Sequence, residues 1–334
     1  MRAIHAVKPG PAARVLRLVD VPDPTPGPGQ LLVRPAAIGV NFIDVYRRTG
    51  IYAMPFPHIP GSEGAGEVVE AGDDARELSG LGPGSLVAWA SSATGSYAEL
   101  VLVDAAKAIP LPDGLDVETA GALALQGMTA DYLVRAAFPV AEEHTVAFYA
   151  AAGGVGLLAG QMIRGTGARL IAVVGSAPKL ELLLDDGVPR EDVVVLGTMR
   201  DIASELPTAV RDRTDGRGVH AVFDSIGKDT FTASLASVRR RGTVVLFGAS
   251  SGPAPLFDPQ ELNAAGSVFL TRPKLDDYTA TRRELLQRAG RVFGAAARGH
   301  VNVRIGERFP LAEAANAHVA LESRTTTGKV LLTP

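Results

Sequence analysis

Between residues 145 and 247 the chain repeats one pattern: a short apolar run, then a stretch long enough for a helix. The runs are Thr145-Val146-Ala147-Phe148-Tyr149, Leu170-Ile171-Ala172-Val173-Val174, Val193-Val194-Val195, Ala221-Val222-Phe223 and Val244-Val245-Leu246-Phe247. Strands that are apolar throughout, rather than at every second residue, are covered on both faces. Helices between them force parallel pairing. The pattern predicts an α/β fold with a doubly wound parallel sheet, extended late in the order by Ser267-Val268-Phe269-Leu270-Thr271.

The chain before this region reads differently. Short apolar runs such as Leu31-Leu32-Val33, Gly66-Glu67-Val68-Val69 and Ser85-Leu86-Val87-Ala88-Trp89 alternate with Pro- and Gly-rich turns. That texture predicts an irregular β domain. After residue 299 a short helix, Leu311 to Glu322, and a strand, Val330-Leu331-Leu332, are expected. A chain of 334 residues exceeds one ordinary core. The expected division is a β domain over 1–122 completed by 299–334, with the doubly wound domain over 123–298.

The first strand-to-helix turn of the parallel region reads Ala151-Ala152-Gly153-Gly154-Val155-Gly156, ahead of a helix over Leu157 to Arg164. It is a GxGxxG-type turn with Ala in the first glycine position. Such a turn lets backbone approach a pyrophosphate at Gly153 and packs helix on strand at Gly156. The free N–H groups of the helix start face the anion. The second strand ends in Val174-Gly175-Ser176-Ala177-Pro178-Lys179, without the acidic residue that holds the ribose hydroxyls of NAD. Ser176 and Lys179 suit a 2′-phosphate instead, so the expected cofactor is NADP(H). Ser176 also suits a helix cap, with Pro178 in the first turn.

Composition excludes other classes. With 46% hydrophobic and 21% charged residues the chain is globular rather than disordered. A formal charge of −3, with Lys and Arg scattered, offers no grip on nucleic acid or anionic lipid. Neither a secretory signal nor a membrane-length apolar stretch is apparent, which makes a cytoplasmic location the expectation. Cysteine is absent and the six histidines stand far apart, so no metal site is expected.

Several runs together carry a family resemblance. They are Ile38-Gly39-Val40-Asn41-Phe42-Ile43-Asp44-Val45-Tyr46, Pro60-Gly61-Ser62-Glu63-Gly64-Ala65-Gly66, the Gly-rich turn, Gly175 to Lys179, Phe223-Asp224-Ser225-Ile226-Gly227 and Glu322-Ser323-Arg324. Over nearly its whole length the chain resembles the quinone oxidoreductases of the zinc-free medium-chain dehydrogenase/reductase superfamily. The resemblance implies a Rossmann domain inserted in a GroES-like β domain, a homodimer, and hydride transfer from NADPH to a small quinone. Zinc-dependent relatives place a Cys at the position of Asn41 and a His at that of Ser62. Without a Lewis acid the chemistry favours acceptors that are already electrophilic. A 2-alkenal or enoyl (enone) reductase is therefore an alternative, and a non-catalytic NADPH-binding protein is a second.

The resemblance places Asn41, Asp44 and Tyr46 at the nicotinamide end and makes Tyr52 an active-site tyrosine. Tyr46 and Tyr52 are candidate donors to the acceptor oxygen or walls of the site. From the residues alone, Asn41 reads as the cap of a helix ending at Gly50, with Asp44 paired to Arg48. Further cofactor positions carried by the resemblance are Gln126, Thr129, Gly154, Val155, Ser225, Phe247, Gly248, Ser250, Leu270, Thr271, Arg272 and Arg324. Two positions depart from the family pattern: Leu196, where relatives often have Tyr, and Asp131, which is frequently aromatic.

Overall fold

The computed structural model describes residues 1–334, and their contacts form two compact units: Met1–Met128 with Thr279–Pro334, and Thr129–Tyr278. The expected Rossmann segment ran to residue 298. Helix Arg282–Ala297 instead belongs to the first unit, where the Arg282 guanidinium donates to the carbonyls of Ala105, Ala106 and Ala108.

The second unit is a six-stranded, wholly parallel sheet. Its strands are β1 (Thr145–Tyr149), β2 (Arg169–Val174), β3 (Val193–Val195), β4 (Val219–Asp224), β5 (Val238–Leu246) and β6 (Phe269–Thr271). They lie in the order β3-β2-β1-β4-β5-β6, so the winding reverses between β1 and β4. This is the Rossmann arrangement, and ligands of such sheets bind outside the carboxyl ends of the strands at that reversal. Alternate strand residues supply each face, as the two-residue period requires. Ala147, Tyr149, Ile171, Val173, Val222 and Val244 form one face, packed by Leu206 and Val210 and by Phe231 and Leu235. Those two pairs come from helices Ile202–Asp212 and Phe231–Ser237.

The first unit is built on a seven-stranded sheet centred on the long strand Gln30–Val40. Glu63–Ala71 flanks it antiparallel on one side, and Lys329–Thr333 flanks it antiparallel on the other. Leu86–Trp89 and Ile305–Pro310 extend the sheet, and Val101–Asp104 pairs with the first half of the central strand. A separate hairpin joins Arg2–Ala6 to Leu16–Asp20. Lys329 stands in the register of a chain segment nearly three hundred residues earlier. Its strand is drawn there by Val330, Leu331 and Leu332, all at most 1% exposed.

Candidate functional site

In the Rossmann unit the predicted cofactor residues gather at strand carboxyl ends. The turn after β1 places Ala150 at φ 56°, and Gly153 caps helix Gly154–Arg164, which starts three residues earlier than expected. A Cβ at Gly153 would meet nothing closer than the Ala150 carbonyl at 3.2 Å, and the residue's φ is −79°. That contact is tight, and a side chain there requires the carbonyl to give by a few tenths of an ångström. Gly156 is different: a Cβ would lie 2.5 Å from the Ala150 carbonyl and 2.6 Å from that of Ala151. It is the contact that seats the helix on the sheet.

After β2, Gly175 is open around its Cα, and Ser176 is the N-cap of helix Ala177–Asp185 with Pro178 in its first turn. The Ser176 side chain makes no cap hydrogen bond, contrary to its expected capping bond. The first turn carries no acidic residue, and Lys179 is half-buried there. Between β1 and β4, the Ser225 hydroxyl donates to the Tyr149 carbonyl at 3.3 Å, tying the two strand ends at the reversal. Gly248 lies against the Ser225 backbone so closely that a Cβ would strike its Cα at 2.8 Å, and the Ser250 N–H donates to the Ser225 carbonyl. Ser225, Phe247, Gly248 and Ser250 thus form one cluster, with the Phe247 ring 5.5 Å from Phe148. Leu270 packs into the core, Thr271 ends β6, and Arg272 follows it exposed. Of the departures, Leu196 packs against the core and buried Asp131 is paired with Arg135 at 3.2 Å. Thr129 is buried in helix Val117–Tyr132.

The first unit holds Asn41, Asp44, Tyr46, Tyr52, Gln126 and Arg324. Helix Phe42–Thr49 begins after Asn41 and ends at Gly50, whose φ of 83° suits glycine. The local reading of its first turn holds for Asn41 and needs one correction, at Asp44. Asn41 is the N-cap of the helix and forms a capping box with Asp44. It donates to Glu63 Oε2 at 2.8 Å and accepts from Gln126 at 3.1 Å and from Lys329 at 2.9 Å. Asp44 does not pair with Arg48. It accepts from the Asn41 N–H at 3.0 Å, from Ser62 Oγ at 2.8 Å and from the Tyr97 hydroxyl at 3.3 Å. Arg48, fully buried, is bound through Nη2 to Glu322 at 2.6 Å.

Two buried networks meet at Asn41. In one, Lys329 and Glu63 form an ion pair with both side chains fully enclosed, and Glu63 also accepts from the Leu125 N–H. Gly39 lies opposite Glu63 in the register, and a Cβ there would collide with the Glu63 carboxylate and approach Lys329 Nζ to 2.7 Å. Glycine at 39 clears the space for the pair. Burial pushes the Lys329 ammonium down, an effect opposed by Glu63. In the other network, burial raises Asp44 to about 6, against the pull of Ser62 and Arg47, and drives the Tyr97 phenol well up. His318, which shares a hydrogen bond with Tyr97 at 3.0 Å, is pushed to about 3 by burial and by Arg48. Asp44 is therefore sealed inside the unit and cannot itself touch an acceptor. Tyr46 is 7% exposed and meets the 40%-exposed Tyr52 edge to face at 5.4 Å. Arg324 is exposed, at φ 60°.

Glu63, Lys329, Tyr97 and His318 had no assigned role in the sequence. The signal for the first two was present: opposite charges stood inside otherwise apolar or Gly-rich strand segments, where an unpaired charge is not tolerated.

Comparison with known proteins agrees with this architecture. The family model of the alcohol dehydrogenase GroES-like domain matches residues 27–113, and that of zinc-binding dehydrogenases matches 192–332. The quinone oxidoreductase of Pseudomonas aeruginosa is 40% identical over 321 residues, 96% of each chain. The chain belongs to the quinone oxidoreductase family of the medium-chain dehydrogenase/reductase superfamily. The crystal structure of Escherichia coli quinone oxidoreductase complexed with NADPH superimposes with a TM-score of 0.93 at 36% identity, over 100% of both chains. The 2-haloacrylate reductase of a Burkholderia species is 35% identical over 342 residues, 100% of this chain and 99% of that one. The zinc in the family model's description does not suit the residues of this member. Ser62 is bound by Asp44 and Arg47, Asn41 faces an ammonium group, and no three His, Cys, Asp or Glu side chains converge.

Proposed function

We propose that this protein is an NADPH-dependent quinone oxidoreductase. The observation that carries the reading is the pair of turns after β1 and β2. Glycine backbone at a helix N-terminus is followed, one strand on, by open Gly175 and then Ser176 and Lys179 with no carboxylate in the turn. Oxidoreductase relatives of the same fold, one of them complexed with NADPH, support it.

The bound dinucleotide supplies the hydride; the chain supplies orientation and charge. The amides around Gly153, Gly154 and Val155 would hold the pyrophosphate, and Gly175, Ser176 and Lys179 the adenosine phosphate. Ser225, Phe247, Gly248, Ser250, Leu270, Thr271 and Arg272 would line the strand ends. Asn41, Tyr46, Gln126, Thr129 and Arg324 would serve the nicotinamide half. Tyr46 and Tyr52 would wall the acceptor, and a hydrogen bond donated by a phenol hydroxyl to the oxygen being reduced would stabilise the developing anion. A quinol anion is a weak base that solvent protonates, so no buried acid is needed. Asp44 keeps Asn41 and Ser62 in place.

The likeness to a 2-haloacrylate reductase favours a second reading, reduction of an activated alkene by the same hydride delivery. Loss of NADPH absorbance with a naphthoquinone, a phenanthrenequinone and an alkenal separates the two. Turnover with the alkenal and none with either quinone would refute the first. The edge strand β6, with Phe269 64% exposed, supports pairing of two copies there, and the reading includes a homodimer acting in the cytoplasm. No helix is long and apolar enough to cross a membrane.

A further inference from the structure

The segment that follows β3, residues 196 to 201, is held on one side only. Leu196, Met199 and Ile202 pack against the core of the parallel sheet, and the Met199 N–H donates to the Leu196 carbonyl. The Arg200 and Asp201 N–H groups donate to Glu205 Oε1 at 2.8 and 2.9 Å. With the apolar side chains turned inward, Gly197, Thr198 and Arg200 are left exposed. Leu196 offers no polar group, and the Thr198 hydroxyl is spent on the Val195 carbonyl at 2.8 Å. The Arg200 guanidinium makes no ion pair and no hydrogen bond within the chain. Its acidic neighbours are engaged at the helix start: Asp201 accepts from the Ala203 N–H and the Ser204 hydroxyl, and Glu205 from the two N–H groups already named.

This unpaired cation stands beside the turn assigned to the adenosine phosphate. β3 pairs with β2 in parallel, Val195 opposite Val174, so the two strands end side by side. The segments beyond them stay in contact: a Cβ on Gly197 would lie 2.7 Å from the Gly175 carbonyl. Gly175 leads into Ser176 and, in the first turn of the next helix, Lys179. A phosphate monoester carries about −1.5 to −2 charges at pH 7, of which Lys179 balances one. A guanidinium suits the remainder, because its paired N–H groups match two phosphate oxygens.

We infer that Arg200 is a second cation for the adenosine 2′-phosphate, reaching it from the β3 side while Ser176 and Lys179 hold it from the β2 side. Arg200 is thereby a determinant of the choice between NADPH and NADH. The inference rests on the NADPH reading above and uses residues of the Rossmann unit alone. Arg200 is exposed, so its contribution is smaller than that of half-buried Lys179 and more sensitive to salt.

Titration calorimetry with NADPH and with NADH tests this on the unaltered protein, Arg200→Met and Arg239→Met. Arg239 is also exposed, but it lies at the amino end of β5, so its loss makes the same change in net charge at the opposite end of the sheet. Arg200→Met should weaken NADPH about three- to tenfold at low ionic strength and leave NADH unchanged. The loss should shrink as KCl is raised. Arg239→Met should bind both dinucleotides as the unaltered protein does. Unchanged NADPH binding by Arg200→Met, an equal loss for NADH, or an equal loss in Arg239→Met overturns the inference while leaving the roles of Ser176 and Lys179 intact. An unaltered protein that binds NADPH no more tightly than NADH overturns both the inference and the cofactor reading.

Discussion

Replacing Lys179 with alanine is expected to erode the choice of NADPH over NADH. Lys179 sits in the first turn of helix Ala177–Asp185, where the helix dipole already favours an anion. The nearest acidic neighbour in that helix, Glu181, is paired with Arg190 at 3.0 Å. A charge-assisted hydrogen bond to a phosphate contributes about 1.5–3 kcal/mol, or roughly ten- to a hundredfold in affinity. Lys179 is only half-buried, and salt screens it, which draws the effect toward about tenfold. The assay is kcat/KM for NADPH and for NADH with one quinone at fixed ionic strength. The NADPH value should fall by about that factor and the NADH value should hold. Adding Ser176→Asp, a carboxylate against the 2′-phosphate, should then reverse the preference. An unchanged NADPH/NADH ratio in Lys179→Ala would refute the assignment.

Acid stability follows from two buried groups with opposite signs. Asp44 is raised to about 6, so it opposes folding above that pH and ceases to do so below its unfolded value near ~4. His318 is lowered to about 3, so the stability it confers is full above its unfolded value near ~6.5 and is lost as pH falls. Between about pH 4 and 6 the slopes cancel, and Asp44→Asn should expose a loss of about 1.4 kcal/mol per pH unit on acidification, read by urea unfolding. Equal slopes for the two proteins would contradict this. The two motif glycines should separate: Gly153→Ala should weaken NADPH with little change in melting, whereas Gly156→Ala should cost about 1–3 kcal/mol of stability because its Cβ meets two carbonyls. A drop in melting temperature for Gly153→Ala as large as for Gly156→Ala would show that position 153 is structural. Phe269→Arg on the exposed edge strand should convert the proposed dimer to monomer in sedimentation, and a monomeric parent protein or an unaltered profile would refute pairing at that edge.

The Rossmann sheet was legible because its signal is local. Apolar runs flanked by helices dictate parallel strands, and the turns at Gly153 and Gly175 fall where strands end. The order β3-β2-β1-β4-β5-β6 places Ser225 beside Tyr149 without any further cue from sequence. Asn41 shows where such reading stops. Its sequence neighbours favour a helix cap, and locally that was the economical role. That role is kept, but the side chain also meets Glu63, Gln126 and Lys329, which come from two other strands and a helix that no local spacing points to. Arg48 repeats the lesson: Asp44 is one helical turn away, yet Glu322 holds it from 274 positions along the chain.

The span of the Lys329–Asn41 contact, 288 residues, has a consequence for biosynthesis. A growing polypeptide exposes Glu63 early and must carry it without its countercharge until the strand Lys329–Thr333 is made. The sheet around the central strand can be finished only then, so ribosome-bound chains stalled before residue 329 should remain protease-sensitive in this unit. Trimming that last strand should abolish the Asn41–Glu63–Lys329 network while sparing a Rossmann unit already synthesised in full.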